Sequence, residues 1–343
     1  MPSLIVPHVP HYIHPAVTQE QLDYADLAII DLSKASDAQG RVELAAQVVE
    51  AMKMQGFFYV VNHGYTAAQT ERMFDIADVS FSGVEAEEKR VYTAQMKQTG
   101  SYQGYKPRQY WVINMDVTKK KHPEALRPLL PEIDAFARHT HFNVLHPILR
   151  LMALGLELPE EELVNLHGFS SRSYPRSAED ELNTKNVWLK GHTDFGTITV
   201  LYSQPVAALQ ILGKDGKWKW IKHLENALVI NAGDSMEFLS GGYYKPTIHR
   251  VVQPPPDQRN HTRLGVFYFA MTDDNVRLVP LASSPVLQRV GVTRRCEDKD
   301  APNMEAWRRG RTSAYGQSQL KVATAGGEVE EEVIGGVVVR HHN

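Results

Sequence analysis

Apolar side chains recur with a helical period through the first half of the chain. Between residues 42 and 52 they fall every three or four positions, and Gly56 follows as a stop. The same period returns over 67–82 and over 131–155. An aromatic and β-branched run at 57–62 separates the first two helices and is typical of a buried strand. The pattern therefore predicts a mainly helical first half with one buried strand.

Near residue 168 the pattern changes to short β-like segments separated by Gly, Asp and Pro. The clearest of these segments are 197–202, 209–212, 227–231 and 264–269. At the end of the chain, the acidic run at 328–332 predicts a solvated turn that leads into a final strand at 337–340. Many short strands in succession favour an antiparallel sandwich or barrel, with the preceding helices packed on its outside.

Composition and charge limit the kinds of partner. Charged residues make up 22% of the 343 residues and the formal net charge is only −3, so neither nucleic acid nor a membrane surface is expected as a partner. No stretch approaches the roughly 18 apolar residues that a membrane helix needs. The single cysteine, Cys296, cannot form an internal disulfide and fits a reducing compartment. We therefore expect a cytoplasmic enzyme or binding protein, and its oligomeric state stays open.

The β-like half contains a candidate metal site. His192 and Asp194 stand two residues apart, and residues i and i+2 of an extended segment project from the same face, so both can bind one ion. His249, on a second β-like segment, is the candidate third ligand. Two histidines and one carboxylate on one side of an octahedral ion leave positions open for a co-substrate and O2, as in non-haem Fe(II) oxygenases. A lone His-x-Asp pair is also common by chance, as a surface histidine near an aspartate that caps a helix. The surrounding sequence therefore decides whether this pair is a metal site.

The sequence around these residues resembles the isopenicillin N synthase-like family of Fe(II)/2-oxoglutarate-dependent oxygenases. The stretch 191–202, which reads GHTDFGTITVLY, is similar to the strand that bears the family's first two ligands. The segment 242–251 leads into His249 as the family leads into its second histidine. The motifs occur in order over roughly residues 25–275. Further matching segments are 28–33, 56–64, 87–89, 209–218 and 229–234.

The resemblance implies a fold and a division of the chain. The implied fold is a double-stranded β-helix, or jelly roll, preceded by a helical N-terminal cap, which agrees with the pattern of apolar positions. The expected regions are a cap at 1–167, a core that binds iron and 2-oxoglutarate at 168–275, and a C-terminal extension that packs on the core at 276–343. The tail at 332–340 resembles the tails of fungal members of the family.

The resemblance also implies a binding site for 2-oxoglutarate. The family binds the distal carboxylate of this co-substrate through an Arg-x-Ser pair on a late strand, and Arg263 occupies the arginine position. The planar fork of arginine can donate two hydrogen bonds to one carboxylate. The serine position is Gly265, which lacks the hydroxyl, and Arg259 in the preceding proline-rich loop is the alternative arginine. Tyr174 resembles a family tyrosine that donates to the same carboxylate.

The implied function is that of a dioxygenase that oxidises a small organic metabolite. In the family, 2-oxoglutarate and O2 are converted to succinate and CO2 at the iron while the substrate is hydroxylated, desaturated or rearranged in a ring. The resemblance of the tail to fungal members favours specialised metabolism. Candidate substrate residues, from the cap and the mouth of the barrel, are Tyr102, Tyr105, Arg108, Arg172 and Trp188.

Two alternatives stay open. Because Gly265 removes a donor from the co-substrate site, one alternative is an oxidase of the isopenicillin N synthase type, in which the arginine binds a carboxylate of the substrate and 2-oxoglutarate is not used. The other is a binding module that has kept the fold without the chemistry. Release of succinate during turnover separates the first alternative from a dioxygenase, and failure to bind Fe(II) would indicate the second.

Overall fold

The structure is a computed structural model of the chain. It describes residues 7–106, 109–112, 117, 119–169, 174–180, 187–314, 321–322 and 329–342. At 174–180, 187–188, 314, 322 and 341–342 it describes the backbone alone. Within this part of the chain, no helix is long and apolar enough to cross a membrane.

The predicted helices of the first half form where the apolar period places them. The α-helices of the described residues are α1 (Ala38–Met54), α2 (Ala67–Ser82), α3 (Ala86–Val91), α4 (Met96–Thr99), α5 (Leu130–His139), α6 (His146–Gly155), α7 (Glu161–Val164), α8 (Asp234–Leu239), α9 (Pro285–Val290) and α10 (Met304–Ala314), with short 3₁₀ turns at Leu32–Ser36, Glu124–Leu129, Pro256–Gln258 and Asp298–Asp300. The Asp37 carboxylate caps α1 by accepting from the Gly40 N–H (2.9 Å), and Gly56, with a φ of +66°, follows its end. A capping box between Thr66 and Gln69 begins α2.

The long helix predicted near residue 140 consists of α5 and α6 joined by the π-helical turn Thr140–Leu145. Pro147 has no N–H to donate in the first turn of α6, which weakens the regular helical hydrogen bonds at this point. The buried His141 in the turn contacts the Tyr268 hydroxyl on the sheet (Nδ1 to Oη, 2.8 Å). The wider turn therefore joins the helical layer to the β-sheet through a buried polar contact.

Two sheets make up the β part. The strands of the described residues are β1 (Ile29–Asp31), β2 (Phe57–Val61), β3 (Gly104–Lys106), β4 (Gln109–Trp111), β5 (Tyr174–Asp180), β6 (Val187–His192), β7 (Ile198–Tyr202), β8 (Leu209–Leu212), β9 (Trp218–Trp220), β10 (Leu228–Ala232), β11 (His249–Val252), β12 (Arg263–Ala270), β13 (Lys321–Val322), β14 (Val329–Ile334) and β15 (Val337–His342). One sheet has the order β1-β2-β10-β7-β12-β5-β4-β3 and the other β13-β14-β15-β6-β11-β8-β9. The strands predicted in the β-like half are thereby confirmed.

The inner faces of the two sheets pack against each other. On β12, Leu264, Val266 and Tyr268 belong to the large core shared with α2, α5 and α6. The alternate residues of this strand lie on the opposite, inner face, because side chains alternate along a strand. Inner apolar residues from both sheets form one cluster, which includes Leu201, Val229, Leu209 and Ile211. This is the double-stranded β-helix that the sequence predicts, with helices on the outer face of the eight-stranded sheet.

The C-terminal hairpin extends the seven-stranded sheet. β15 pairs with β14 along its length and with β6 at Gly191, so the predicted final strand is confirmed. Residues 329–332 of the acidic run lie on β14, and the prediction of a solvated turn there is wrong. Lys190 and Arg340 form ion pairs with Glu330 (2.9 Å) and Glu331 (2.7 Å), which lets these acids sit side by side on a strand.

The division of the chain at 1–167, 168–275 and 276–343 stays a prediction. Strands from all three regions share the two sheets, because β1 and β2 join the eight-stranded sheet and β13 to β15 join the seven-stranded one.

Candidate metal centre

Three ligand-forming side chains converge at one end of the seven-stranded sheet. His192 is the last residue of β6 and His249 the first of β11, and the two pair directly in the antiparallel register. Asp194 follows His192 by two residues, and one donor atom from each of the three lies within 4.8 Å of the others. Their side chains are 9–20% exposed, which leaves the site accessible to small molecules. The structure therefore brings together the three residues that the sequence predicts.

The two imidazoles are oriented by backbone carbonyls. His192 Nδ1 lies 2.8 Å from the Lys190 carbonyl oxygen, and His249 Nδ1 lies 3.1 Å from the Thr247 carbonyl oxygen. Because a carbonyl can only accept, each Nδ1 carries the proton and donates, which leaves the Nε2 lone pair for a metal. Burial, with a smaller effect of the neighbouring His249, lowers the pKa of His192 to about 3, so this ring is neutral near pH 7.

The Asp194 carboxylate is held by two side chains of the eight-stranded sheet. Thr199 Oγ1 donates to Asp194 Oδ2 at 2.6 Å, and Asn231 Nδ2 donates to the same oxygen at 3.0 Å. Burial alone would raise the pKa of this carboxyl, but the neighbouring imidazoles and these two hydrogen bonds outweigh burial and lower the pKa. The carboxylate is therefore ionised, and its Oδ1 is left for a metal.

The donor set fits a metal ion better than a hydrogen-bonded cluster. His192 Nε2 lies 3.9 Å from Asp194 Oδ1, and His249 Nε2 lies 3.8 Å from Asp194 Oδ2. These distances exceed a hydrogen bond, and they lie within about 1 Å of the roughly 3 Å that separates two adjacent ligands each about 2.1 Å from a shared ion. Two imidazoles and a carboxylate on one side of an ion suit Fe(II), and they leave its other side for further ligands.

A row of paired residues crosses the eight-stranded sheet at the metal centre. In register, Phe57 pairs with Asn231, Asn231 with Thr199, and Thr199 with Phe269. Directly opposite residues of antiparallel strands share a face, so all four lie on the inner face with the two residues that hold the carboxylate. The ring of Phe57 packs edge-on against the imidazole of His249 (5.5 Å between centroids). Phe269, at the other end of the row, therefore lies beside the metal centre.

Five aromatic side chains, Phe269 among them, form what we call the aromatic wall. The Phe269 ring is stacked on Phe267 (5.8 Å between centroids) and lies 5.2 Å from Trp111. Trp111 contacts Tyr102 (4.9 Å), and Tyr102 reaches Phe195 (6.0 Å), the residue after the carboxylate ligand. The wall runs from the metal loop to β12. Tyr102 and Trp111 are buried behind it, and the half-buried rings of Phe195, Phe267 and Phe269 form the apolar surface that suits contact with a flat ring.

A positive charge lies against the aromatic wall. The ammonium of Lys106 lies 3.6 Å from the ring centroid of Tyr102 and 5.4 Å from that of Trp111, and the residue is 8% exposed. A cation at this distance from two ring faces is stabilised by their π-electrons. Tyr102, predicted as a substrate residue, thus has both an aromatic and a charged neighbour.

Arg263 lies at the far end of β12 from the metal centre. Its side chain is 2% exposed and lines a cavity whose wall also includes Leu201, Ser203, Leu209, Lys222, His223 and Val229. It occupies the same inner face of β12 as Phe267 and Phe269. Arg259 is exposed on the loop before β12. The placement favours Arg263 over Arg259 as the residue that binds a carboxylate inside the fold, and this role stays a prediction.

Gly265, at the position of the family's serine, has the ring of Phe267 above it. A Cβ built at Gly265 would lie 2.4 Å from Phe267 Cε2 and 2.9 Å from Phe267 Cζ. Non-bonded carbon atoms do not approach so closely. The aromatic ring therefore occupies the space that a serine side chain would need. The absence of the serine hydroxyl and the position of Phe267 in the aromatic wall thus depend on each other.

The other predicted residues divide into those that the structure places and those that it does not describe. Tyr105 donates from its hydroxyl to the Ser80 carbonyl oxygen (2.7 Å) within the core that packs on the helices, so the structure does not bring it to the metal centre. The backbone of Tyr174 pairs with Phe269 and that of Trp188 lies on β6, while their side chains lie outside the described residues. Arg108 and Arg172 also lie outside them.

Sequence analysis missed several residues of this site, among them Thr199, Asn231, Trp111 and Phe269. Thr199 and Asn231, which hold the carboxylate ligand, carried a weak signal, because each is a polar residue inside an otherwise apolar strand. Trp111 and Phe269 carried none, since only the strand register shows which aromatic residues lie near the metal.

Models of two families match the chain. The 2OG-Fe(II) oxygenase superfamily matches residues 159–272, and the family described as non-haem dioxygenase in morphine synthesis N-terminal matches residues 27–127. Scopoletin 8-hydroxylase of Arabidopsis thaliana is 30% identical over 292 residues, which cover 81% of this chain and 79% of the relative. The 2-oxoglutarate-dependent dioxygenase frbH of Dothideomycetidae sp. (strain 11243) is 29% identical over 288 residues, 76% of this chain and 86% of the relative.

The fold is also similar to a solved structure. The rice dioxygenase for auxin oxidation has a TM-score of 0.66 at 20% identity, and the match covers 84% of this chain and 96% of that one. The chain belongs to the 2OG-Fe(II) oxygenase superfamily. It is a dioxygenase that depends on Fe(II), 2-oxoglutarate and O2 and acts on a small molecule. The expected jelly roll, the enzyme class and the cofactors are thereby confirmed.

Proposed function

We propose that this dioxygenase holds Fe(II) with His192, Asp194 and His249 and oxidises a flat, largely apolar metabolite, with hydroxylation as the default outcome. The observation that carries the proposal is the position of the aromatic wall, whose first ring follows Asp194 in sequence and whose last two lie on β12. A flat ring that packs on this wall is held beside the open side of the metal centre. Specialised metabolism, a cytoplasmic location and the absence of nucleic-acid and membrane partners stay predictions.

The residues of the chain have separate roles in this proposal. The bound iron and 2-oxoglutarate supply the oxidising chemistry, with succinate and CO2 as the co-products. The Lys190 and Thr247 carbonyls keep the two imidazoles in the tautomer that binds a metal. Thr199 and Asn231 keep the carboxylate ionised and directed. Arg263 binds the distal carboxylate of 2-oxoglutarate through a charge-assisted pair inside the fold.

The aromatic wall and Lys106 define the substrate class. Ring-on-ring contacts contribute about 0.5–1.5 kcal/mol each beyond the burial of apolar surface, so a planar substrate gains from several rings at once. The ammonium of Lys106 beside Tyr102 favours a substrate that also carries a carbonyl, phenolate or carboxylate. The name of one relative, scopoletin 8-hydroxylase, specifies an aromatic substrate and supports this class. Arg108, Arg172 and Trp188 stay predicted substrate residues, as does Tyr174 for 2-oxoglutarate.

A substrate panel tests this proposal. The enzyme is incubated with Fe(II), 2-oxoglutarate and either planar oxygen-bearing aromatics or saturated acyclic acids of similar size. We expect succinate release to be stimulated by planar compounds and to match, mole for mole, a product that has gained one oxygen atom. Trp111→Leu should raise the KM for the best substrate, whereas Trp218→Leu, on the edge strand β9, should not. Stimulation by the acyclic acids alone would contradict the proposed substrate class.

One observation bears on the alternative of an oxidase that does not consume 2-oxoglutarate, which the similarity to a 2-oxoglutarate-dependent dioxygenase disfavours. Gly265 lacks the hydroxyl of the family's Arg-x-Ser pair, and the Phe267 ring fills that space. In this alternative, Arg263 binds a carboxylate of the substrate. Turnover that continues without added 2-oxoglutarate and releases no succinate would favour the oxidase over the dioxygenase.

A further inference from the structure

The C-terminal helix α10 binds the loop that carries Asp194. We call residues 192–196 the ligand loop. Arg311 Nη2 donates to the Thr193 carbonyl oxygen at 3.2 Å, and Trp307 Nε1, one turn earlier on α10, donates to the Phe195 carbonyl oxygen at 3.1 Å. The helix therefore holds the backbone on both sides of Asp194, although α10 lies more than a hundred residues after Asp194 in the sequence.

Asp234 joins α10 to the ligand loop a second time. Its carboxylate is 1% exposed, accepts from the Thr193 hydroxyl at 2.7 Å, and forms ion pairs with Arg311 and, at 3.1 Å, with Arg295. Its backbone N–H donates to the Asp194 carbonyl oxygen at 2.7 Å. A carboxylate this buried is stable only with charged or hydrogen-bonding partners, so the two arginines are needed to keep it against the loop.

The contact between Asp234 and the ligand loop requires a glycine next to it. A Cβ at Gly233 would lie 2.7 Å from the Asp194 carbonyl oxygen and 2.4 Å from the Gly196 carbonyl oxygen. Without a side chain there, the start of α8 approaches the loop closely enough for both backbone N–H groups that follow to donate to it, from Asp234 to Asp194 and from Ser235 to Gly196. The loop is thus fixed from α8 and from α10 together.

We propose that Arg311 is a positioning residue of the metal centre, which sets the direction of the His192 and Asp194 side chains by holding Thr193 and Asp234. This inference rests on the proposed iron site. A guanidinium suits the task because its planar fork donates to a carbonyl and to a carboxylate at the same time, which a single ammonium does less well. Residues that orient metal ligands in this way typically change metal affinity or activity by about 10–100-fold when they are replaced.

Arg308 provides a matched control on the same helix. Its side chain is fully buried, pairs with Asp274 at 3.1 Å and donates to the Gly100 carbonyl oxygen. It therefore resembles Arg311 in burial and in having a carboxylate partner, but it does not touch the ligand loop. A merely structural role would make the two arginines equivalent, whereas a positioning role would not.

The test is metal affinity measured without turnover, by anaerobic titration of the full chain with Co(II) alone and observation of the visible Co(II) absorption bands. We expect Arg311→Met to weaken Co(II) binding by about 10–100-fold and to alter the bands. Arg311→Lys should recover part of the affinity. Arg308→Met should lower the Tm to a similar extent as Arg311→Met and leave Co(II) affinity and bands as in the wild type.

Equal Co(II) affinity and bands in folded Arg311→Met and in the wild type would overturn the inference. If Arg311→Met does not fold, Thr193→Val removes the hydroxyl that donates to Asp234 and keeps the side-chain shape. A several-fold loss of Co(II) affinity in that variant supports the inference, and an unchanged affinity overturns it. If the wild type itself binds neither Co(II) nor Fe(II), the proposed iron site fails and this inference fails with it.

Discussion

The two ends of the jelly-roll interior differ in how their polar groups are held. At the metal end, backbone carbonyls orient His192 and His249, and the Thr199 and Asn231 side chains hold Asp194. At the other end, which we call the clamp end because Arg263 is proposed to bind 2-oxoglutarate there, Gly265 stands in place of a hydroxyl donor and the Phe267 ring fills the remaining space. In the proposed site, the geometry of the ligands would depend on strand pairing, whereas the affinity for 2-oxoglutarate would depend on one or two side chains. Changes at the metal end should remove activity, and changes at the clamp end should only weaken binding.

The largest effect is expected from the ligands themselves. His192→Ala, Asp194→Ala and His249→Ala should each reduce turnover to background, because two protein ligands hold an ion far less tightly than three. Succinate release and Fe(II) content of the purified variants are the measurements. Circular dichroism serves as the control for the fold. Activity close to that of the wild type in any of the three would contradict the assignment.

The next effect tests the clamp end. Arg263→Ala should raise the KM for 2-oxoglutarate about a hundredfold, equivalent to about 2.7 kcal/mol, because a charge-assisted pair inside the fold is lost. The KM for the primary substrate should change far less. Arg259→Ala is the control, since this arginine is exposed on the loop. A co-substrate defect in Arg259→Ala instead, or a substrate defect alone in Arg263→Ala, would contradict the distinction between the two ends.

A smaller effect is expected from the support of the carboxylate ligand. Thr199→Val removes the 2.6 Å hydrogen bond to Asp194 Oδ2 while it keeps the side-chain shape, so Fe(II) affinity should fall about tenfold. Thr140→Val is the matched control, because it also loses a buried hydroxyl contact, to Tyr202, but away from the metal. Equal Fe(II) affinity in the two variants would show that the carboxylate does not need its support.

The smallest effect concerns Gly265. Gly265→Ser alone should bind 2-oxoglutarate a few-fold more weakly or lower the Tm, because its Cβ would clash with the Phe267 ring. Gly265→Ser together with Phe267→Leu should relieve the clash and bring the KM for 2-oxoglutarate to the wild-type value or below. Phe267→Leu alone separates the effect of the ring from that of the hydroxyl. A serine that is tolerated without any change at Phe267 would show that the ring moves freely.

The fold was largely predictable because its signals are local. The helical period, the short strands and the glycines that follow them are each contained in a few neighbouring residues. The sequence around His192 resembles the oxygenase family, and that resemblance implies the strand order of a jelly roll. The acidic run at 329–332 misled, because the partners that neutralise it, Lys190 and Arg340, cannot be recognised as neighbours without the sheet.

The convergence of the three candidate ligands was predictable for the same reason, whereas the residues around them were not. His192 and Asp194 lie in one strand-end motif, but the row from Phe57 to Phe269 is assembled from four strands by register alone. Tyr105 shows the converse. Tyr105 was predicted to contact the substrate because it lies near Tyr102 in the region expected at the cap and the mouth of the barrel. Its hydroxyl instead donates to the Ser80 carbonyl oxygen on the helical side of the sheet. A one-residue difference in register separates the two faces.

The most direct test of the iron and 2-oxoglutarate site is an anaerobic titration of the Fe(II)-loaded enzyme with 2-oxoglutarate, followed by visible absorption. The wild type should develop the metal-to-ligand charge-transfer band of chelated 2-oxoglutarate, saturating at one co-substrate per chain. Arg263→Ala should develop the same band only at much higher 2-oxoglutarate concentrations, and Asp194→Ala should not develop it. A folded, iron-loaded wild type without the band, or an unchanged band in Asp194→Ala, would contradict the account.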